Sequence, residues 1–346
     1  MCILNVKHMG INKKVLITGA SGFIGHALVK ELINQGYDTW AGVRSTSKVD
    51  DLVKMGAKII VLSCDKESCL VDEIGKFHEA NGKWDYIVHA AGVTKCVNPS
   101  DFTKVNYDNT RRLIDVILAA GMKPEKFIYL SSLSIFGAIH EDNDKNISVN
   151  DVPQPSTEYG RSKLKAEQYI QGLEDFPYVI LRPTGVYGPL EKDYFMMAKS
   201  IKQHIDFAVG FTPQYLTFIY VQDVVQAVRL SIEKEIVCRE YFISDGNVYS
   251  SRTFSDLIQT ELGVKSVLHV KCPLFILKSV SLCAEFLSTL TGRASTLNGD
   301  KYKIMKQRNW RCDISPIEKE LGYSPEYDLK KGVKLTIDWY KTHKWL

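Results

Sequence analysis

The chain carries eight cysteines but no C-x-x-C pair, and its histidines nowhere form an H-x-x-x-H pair. These absences remove the familiar zinc frameworks and leave reduced thiols as the expected state, with no metal. No apolar run reaches the roughly 20 residues that a membrane span needs. The most apolar late stretch, Pro273 to Leu290, is interrupted by Lys278 and Glu285 and reads as an amphipathic helix bearing Phe275, Leu282, Phe286 and Leu290. The opening MCILNVKHMGINKK lacks the apolar centre and small-residue cleavage site of a secretory signal, so a reducing cytoplasm is expected. An excess of one charge is also missing. The 44 Lys+Arg and 40 Asp+Glu are interspersed, a formal net charge of +4, which gives no electrostatic reason to expect nucleic acid. What remains is ordinary globular composition, 45% hydrophobic over 346 residues, enough for at least one sizeable core and a small-molecule partner.

From Lys14 to Arg182 short apolar runs alternate with turns and helical stretches. Strands are expected at Val15–Thr18, Thr39–Val43, Lys58–Leu62, Tyr86–Ala90, Phe127–Ser131 and Tyr178–Leu181. Right-handed crossovers between buried strands give an α/β, doubly wound parallel sheet, whose ligands lie at the carboxyl ends of the strands. After Arg182 the alternation weakens. A strand at Thr217–Val221, a helix at Asp223–Glu233, a strand at Tyr241–Ser244 and a final helix at Leu329–Lys341 stand out. The expected division is a dinucleotide domain of residues 12–182 plus 216–246, and a smaller, discontinuous α/β substrate lobe of 183–215 plus 247–346.

The run VLITGASGFIG sets Gly19, Gly22 and Gly25 directly after a strand and at the opening of a helix. In that context Gly19 serves the tight turn, Gly22 the approach of backbone amides to a pyrophosphate, and Gly25 the close packing of helix on strand. Ser21, Phe23 and Ile24 of this loop are further cofactor candidates. The second strand ends in AGVRSTSK, with no acid for a ribose hydroxyl; Arg44 and Lys48 are there instead, suited to a 2′-phosphate. NADP is thus favoured over NAD, with ordinary solvated cations as the alternative. After the third strand Asp65 is placed to accept from an adenine amino group. After the fourth, HAAG brings Ala90, Ala91 and Gly92 against the cofactor, and His89 reads as a packed strand residue rather than a catalyst.

In STEYGRSKLKAEQYI, Ser156 or Thr157 caps a helix on which Tyr159 and Lys163 lie four residues apart. At 3.6 residues per turn they share a face. A tyrosine hydroxyl titrates near ~10, and a neighbouring ammonium favours its phenolate, making Tyr159 a candidate general acid/base. Upstream, FIYLSSLSIFG puts Ser131 and Ser132 at a strand's carboxyl end, suited to hold a substrate oxygen.

These motifs, with VNYDNT, LRPTGVYGP, FIYVQDVVQA and ELGYSP in order, make nearly the whole chain resemble the extended short-chain dehydrogenase/reductase superfamily, that is, the NAD(P)-dependent epimerases, dehydratases and reductases. The resemblance implies a Rossmann-type fold. It further implies that Ser132 orients the substrate oxygen, with Ser131 and Ser134 as fallbacks, that Tyr159 transfers the proton, and that Lys163 binds the nicotinamide ribose. It places Pro183, Thr184 and Val186 beside the nicotinamide and Asn106 as support near the site. Thr94 and Ser134 join as substrate candidates, as does Phe136, where many relatives carry Tyr. Leu216 and Thr217 stand where nucleotide-sugar members often place a diphosphate-gripping Arg, so dihydroflavonol- and 3β-hydroxysteroid-like reductases look nearest. Aromatics of the second lobe, among them Tyr187, Phe195 and Tyr215, supply an apolar pocket wall. Hydride transfer at a secondary alcohol or ketone of a fairly apolar molecule is the leading expectation. A nucleotide-sugar 4-epimerase or dehydratase, and a non-catalytic NADP-sensing protein, are the alternatives. Relatives commonly pair through helices of the sheet domain, so a homodimer is compatible.

Overall fold

The computed structural model describes residues 13–143, 145–291, 295 and 297–346. Residues 1–12, the stretch read above for a leader and for the start of the first domain, lie outside them. Strands β1 (Lys14–Thr18), β2 (Asp38–Val43), β3 (Lys58–Val61), β4 (Tyr86–His89), β5 (Lys126–Leu130) and β6 (Tyr178–Pro183) fall where the apolar runs predict. With β11 (Arg239–Ile243) they form one parallel sheet in the order β11-β6-β5-β4-β1-β2-β3. The order reverses between β1 and β4, the switch point at which an open α/β sheet has its crevice.

Alternate residues of each strand face opposite layers. Val15 and Ile17 of β1 join one core with Leu28 and Leu32 of α1 (Phe23–Asn34) and Val224 and Val228 of α8 (Val221–Glu233). Leu16 joins the other, with Ile74 and Phe77 of α3 (Glu67–Asn81), Leu113 and Ile117 of α5 (Asn109–Ala119) and Ile170 of α6 (Glu158–Gln171). Burial on both faces explains why these strands are apolar runs rather than alternating ones. The fold is an α/β Rossmann-type sheet covered by helices on both sides.

The run expected at Thr217–Val221 is a strand, but not of this sheet. As β10 (Phe218–Tyr220) it pairs in parallel with β7 (Gly185–Tyr187). A short apolar run records that a segment is buried, not which neighbour buries it. A third core gathers β7 and β10 with α7 (Lys192–Lys202), α9 (Thr253–Leu262) and α13 (Leu329–Thr342), through Tyr187, Phe218, Phe254, Val333 and Tyr340. Strands β8 (Ile205–Val209) and β13 (Leu268–Cys272) pair in parallel, and α10 (Leu274–Thr291) and α11 (Gly299–Lys306) follow β13. No described helix is long and apolar enough to cross a membrane. Among the described residues the cysteines are unpaired and no group of His, Cys, Asp or Glu is suited to a metal ion.

Candidate active site

At the end of β1 the chain turns at Gly19 with φ +68°, a left-handed conformation that favours glycine. A Cβ on Gly25 would lie 2.1 Å from the carbonyl oxygen of Gly19, so any side chain there would force α1 off β1. Gly22 starts α1 with no side-chain cap and no acid in the first turn, which leaves the helix terminus electropositive and its leading amides available to an anion. Ser21 Oγ lies 3.4 Å from Ser47 Oγ, linking this loop to the turn after β2 that carries Arg44 and Lys48. Both cations are exposed, and neither has an ion pair among the described residues. Asp65 is exposed on the turn after β3.

His89 is enclosed between two threonines. Its Nδ1 lies 2.8 Å from Thr18 Oγ1 and its Nε2 2.8 Å from Thr110 Oγ1. Because the Thr110 hydroxyl donates to the Asn106 carbonyl, Nε2 must be the ring nitrogen that carries the proton. Burial, aided by the Lys163 charge, pushes the imidazole down to about 3. It is therefore a neutral strut, as the sequence reading holds, and it ties β1 to the segment that presents Asn106.

That segment is a π-helical turn, Lys104–Asp108, inserted just before α5. Such turns displace one side chain out of the regular helical ladder. Wholly buried Asn106 accepts from the Val93 amide at 2.8 Å and donates to the Val93 carbonyl and to Ser162 Oγ, both at 3.0 Å. It pins the loop after β4 to α6. Gly92 on that loop leaves so little room that a Cβ would sit 3.3 Å from Lys163 Nζ. Ala90, Ala91 and exposed Thr94 lie along the same loop.

Helix α6 is capped by Thr157, whose Oγ1 accepts from the Gly160 amide at 2.9 Å. Two further leading amides, of Glu158 and Tyr159, donate to Asp300 Oδ2 at 2.7 and 3.2 Å. A Cβ on Gly160 would meet the Ser134 carbonyl oxygen at 2.5 Å, so α6 packs tightly on the turn that follows β5 and carries Ser132 and Ser134. Tyr159 and Ser132 meet there. Burial raises the Tyr159 hydroxyl above its ordinary value, and its hydrogen bond with Ser132 draws it back down. Lys163 Nζ donates to the Leu130 carbonyl at 2.8 Å and sits 4.7 Å from the Tyr129 ring centre. Burial lowers this ammonium to about 8. Ser132 is the contact that lowers Tyr159 here, and Lys163, the group that helical spacing puts on the same face, is hydrogen-bonded to the Leu130 carbonyl.

The residues present fit a dinucleotide. The glycine turn is a cradle that a Cβ would fill, and two buried hydroxyls at the carboxyl ends of β5 and β6, Ser131 Oγ and Thr184 Oγ1, have no hydrogen-bond partner among the described residues. Pro183 ends β6 and Val186 lies in β7.

Several substrate candidates are placed elsewhere. Phe136 has no accessible surface and packs on Phe242 and the Arg182 guanidinium. Tyr187 is equally buried, against Phe254 and Tyr220, and Phe195 packs on Tyr340 and Trp345. These rings build cores rather than a pocket wall. Tyr215 is exposed, with the Arg311 guanidinium 4.6 Å from its ring. A cavity does lie beside Tyr159, whose ring meets Phe102 edge-on at 6.1 Å. It is lined by Cys96, Val97, Pro99 and Phe102 on one side and Glu285, Ser288, Asn298 and Asp300 on the other. Asp300 and Glu285 carried no motif, since they come from helices remote in sequence. Asp300→Ala should cost about 1 kcal/mol, the usual worth of a helix cap, and lower Tm by a few degrees, whereas Asp300→Asn, which keeps an acceptor oxygen, should lose less. Thermal unfolding of the two variants checks this.

A family model described as the NAD dependent epimerase/dehydratase family matches residues 15–243. The human protein named dTDP-D-glucose 4,6-dehydratase is 25% identical over 97% of this chain and 93% of its own length. A sterol-4-alpha-carboxylate 3-dehydrogenase, decarboxylating, from Dictyostelium discoideum is 25% identical over 93% of this chain and 99% of its own. Among solved structures, a UDP-glucose 4-epimerase from Thermotoga maritima with UDP-glucose superposes with TM-score 0.74 at 23% identity, covering 96% of this chain and 99% of that one. The chain belongs to the NAD dependent epimerase/dehydratase family, within the extended short-chain dehydrogenase/reductases.

Proposed function

We propose that the protein is an NAD(P)-dependent oxidoreductase interconverting a secondary alcohol and a ketone on a fairly apolar small molecule. The observation that carries this reading is the hydrogen bond between Ser132 and Tyr159 at the carboxyl edge of the sheet, with buried Lys163 on the same helix bonded to the Leu130 carbonyl two residues before Ser132. Ser132 holds the substrate oxygen, and Tyr159 takes the alcohol proton in oxidation or returns it in reduction. Lys163 keeps a positive charge close to Gly92 and the β4 loop, where the coenzyme ribose is expected. Gly19, Gly22, Gly25 and the α1 terminus hold the diphosphate. The nicotinamide, when bound, accepts or supplies the hydride.

Two features weigh against a nucleotide-sugar diphosphate. Leu216 and Thr217 stand where nucleotide-sugar members often place an arginine, and Arg311 donates to Asn309 Oδ1 and to the Asn143 carbonyl, at 2.9 and 3.0 Å, contacts internal to the fold. The nucleotide-sugar 4-epimerase or dehydratase reading is favoured instead by the dehydratase among the relatives. Purified protein assayed at the reduced-nicotinamide absorbance band against steroid, flavonoid and nucleotide-sugar panels separates the two. Net coenzyme turnover on an apolar carbonyl supports the first; conversion of a nucleotide sugar without net coenzyme change replaces it with the second.

Arg44 and Lys48, with no ion pair among the described residues beside the glycine loop, favour NADP(H). Replacing Arg44 by Ser removes a charge-assisted contact, so the ratio of KM for NADP to KM for NAD should rise about tenfold to a hundredfold. An unchanged ratio in steady-state kinetics would remove Arg44 from the site.

A further inference from the structure

Helix α10 is amphipathic with the polarity reversed. Its inward side carries, besides Leu277, the polar Ser281, Glu285 and Ser288, of which Glu285 and Ser288 line the small cavity next to Phe102 and Asp300. Its outward side carries Phe275, Ile276, Val280, Leu282, Leu287 and Leu290; Phe275 is 71% exposed and Leu290 67%. The apolar surface continues beyond the helix. Gly210, which follows β8, approaches Leu274, and on the β8–β13 ribbon Phe207 and Leu268 are 63% and 66% exposed. Contiguous apolar surface of this kind marks an interaction face.

The charges around it select the occupant. Residues 196–213 and 264–291 contain Lys199, Lys202, Lys265, Lys271 and Lys278, all exposed. The acids in the same segments are Asp206 and Glu285. Both are turned inward, Asp206 to Ser255 and His269, Glu285 to the Gly299 amide. Lys278 lies on α10 between Phe275 and Leu282, and these two segments expose lysines but no acid. Two copies meeting on it about a twofold axis would bring their own lysines together. An anionic phospholipid surface takes both the apolar side chains and the lysines, whose stems can lie along the acyl boundary while the ammonium groups meet headgroup phosphates.

We propose that the α10 face docks on anionic membrane surfaces, with the helix lying in the interface rather than spanning it. This holds whichever reaction the site performs. It sets the cavity of Glu285 and Asp300 just behind the membrane-facing side.

Co-sedimentation of the full chain with phosphatidylcholine vesicles and with mixed phosphatidylcholine–phosphatidylserine vesicles tests it. Recovery on mixed vesicles should be about tenfold higher, and should fall about tenfold in Phe275→Ser/Leu282→Ser and severalfold in Lys278→Glu. The lysine variant alters an exposed position alone, so it decides the matter should the apolar variant unfold by circular dichroism. No recovery on mixed vesicles overturns the proposal. So does a dimer in light scattering that Phe275→Ser/Leu282→Ser converts to monomer without any vesicle binding, which would assign the face to a second copy.

Discussion

Tyr159→Phe should lower kcat by about a thousandfold, within the range that general acid–base groups contribute, while leaving the fold in place. The hydroxyl is buried and bonded to Ser132; Ser132 Oγ keeps the bond it accepts from the Ser134 amide, while its own O–H loses its acceptor. Stability should therefore fall by about 1 to 2 kcal/mol. Coenzyme affinity should stay within a few-fold, because the residues assigned to the diphosphate lie on the β1 loop. Three measurements made together are decisive: turnover on the substrate found by the panel, coenzyme binding, and Tm. A variant that keeps more than about a tenth of wild-type turnover moves the proton-transfer role to another group.

Lys163→Met should abolish turnover and yet make the protein more stable at neutral pH. The ammonium is held at about 8 by burial, below its ordinary 10.5. Between those values the unfolded chain binds a proton that the native chain does not, so native stability rises with pH across that window, and below about 8 the burial penalty is fully present. The difference amounts to on the order of 3 kcal/mol, from which about 1 kcal/mol is deducted for the bond lost at the Leu130 carbonyl. Urea unfolding of wild type and variant from pH 7 to pH 10.5 should show the variant's advantage of about 2 kcal/mol shrinking as pH rises. A variant less stable than wild type at pH 7 would mean that Lys163 is a net structural asset, contrary to this account. A residue kept at a cost to the fold is what a functional site produces.

How much of this was legible in the sequence follows from the range of each interaction. The glycine loop could be read because its demands are local: a turn with positive φ and a helix that must touch the strand before it. Tyr159 and Lys163 could be paired because helical periodicity alone puts them on one face. The sheet was legible since strands covered on both sides must be apolar throughout. Long-range choices were not. Nothing local says that the run at Phe218 pairs with Gly185–Tyr187 rather than with β6, nor that Asp300 meets the start of α6. Aromatic content was the weakest guide, because Phe136 and Tyr187 have the same composition whether they line a pocket or fill a core. The turn that buries Asn106 depends on a π-helical insertion for which side-chain pattern has no signature.

The hydrogen bonds from Glu158 and Tyr159 to Asp300 span 142 and 141 positions of the chain. During synthesis the glycine loop, the strands up to β6 and α6 itself can all form before residue 300 leaves the ribosome. The start of α6 cannot be completed then. The nascent chain can thus gain a coenzyme-binding half early while the helix bearing its proton-transfer tyrosine still lacks two of its terminal bonds. Those two bonds, worth about 1 kcal/mol as a helix cap, are added only once α11 has emerged, so the proton-transfer helix gains its last share of stability late in synthesis.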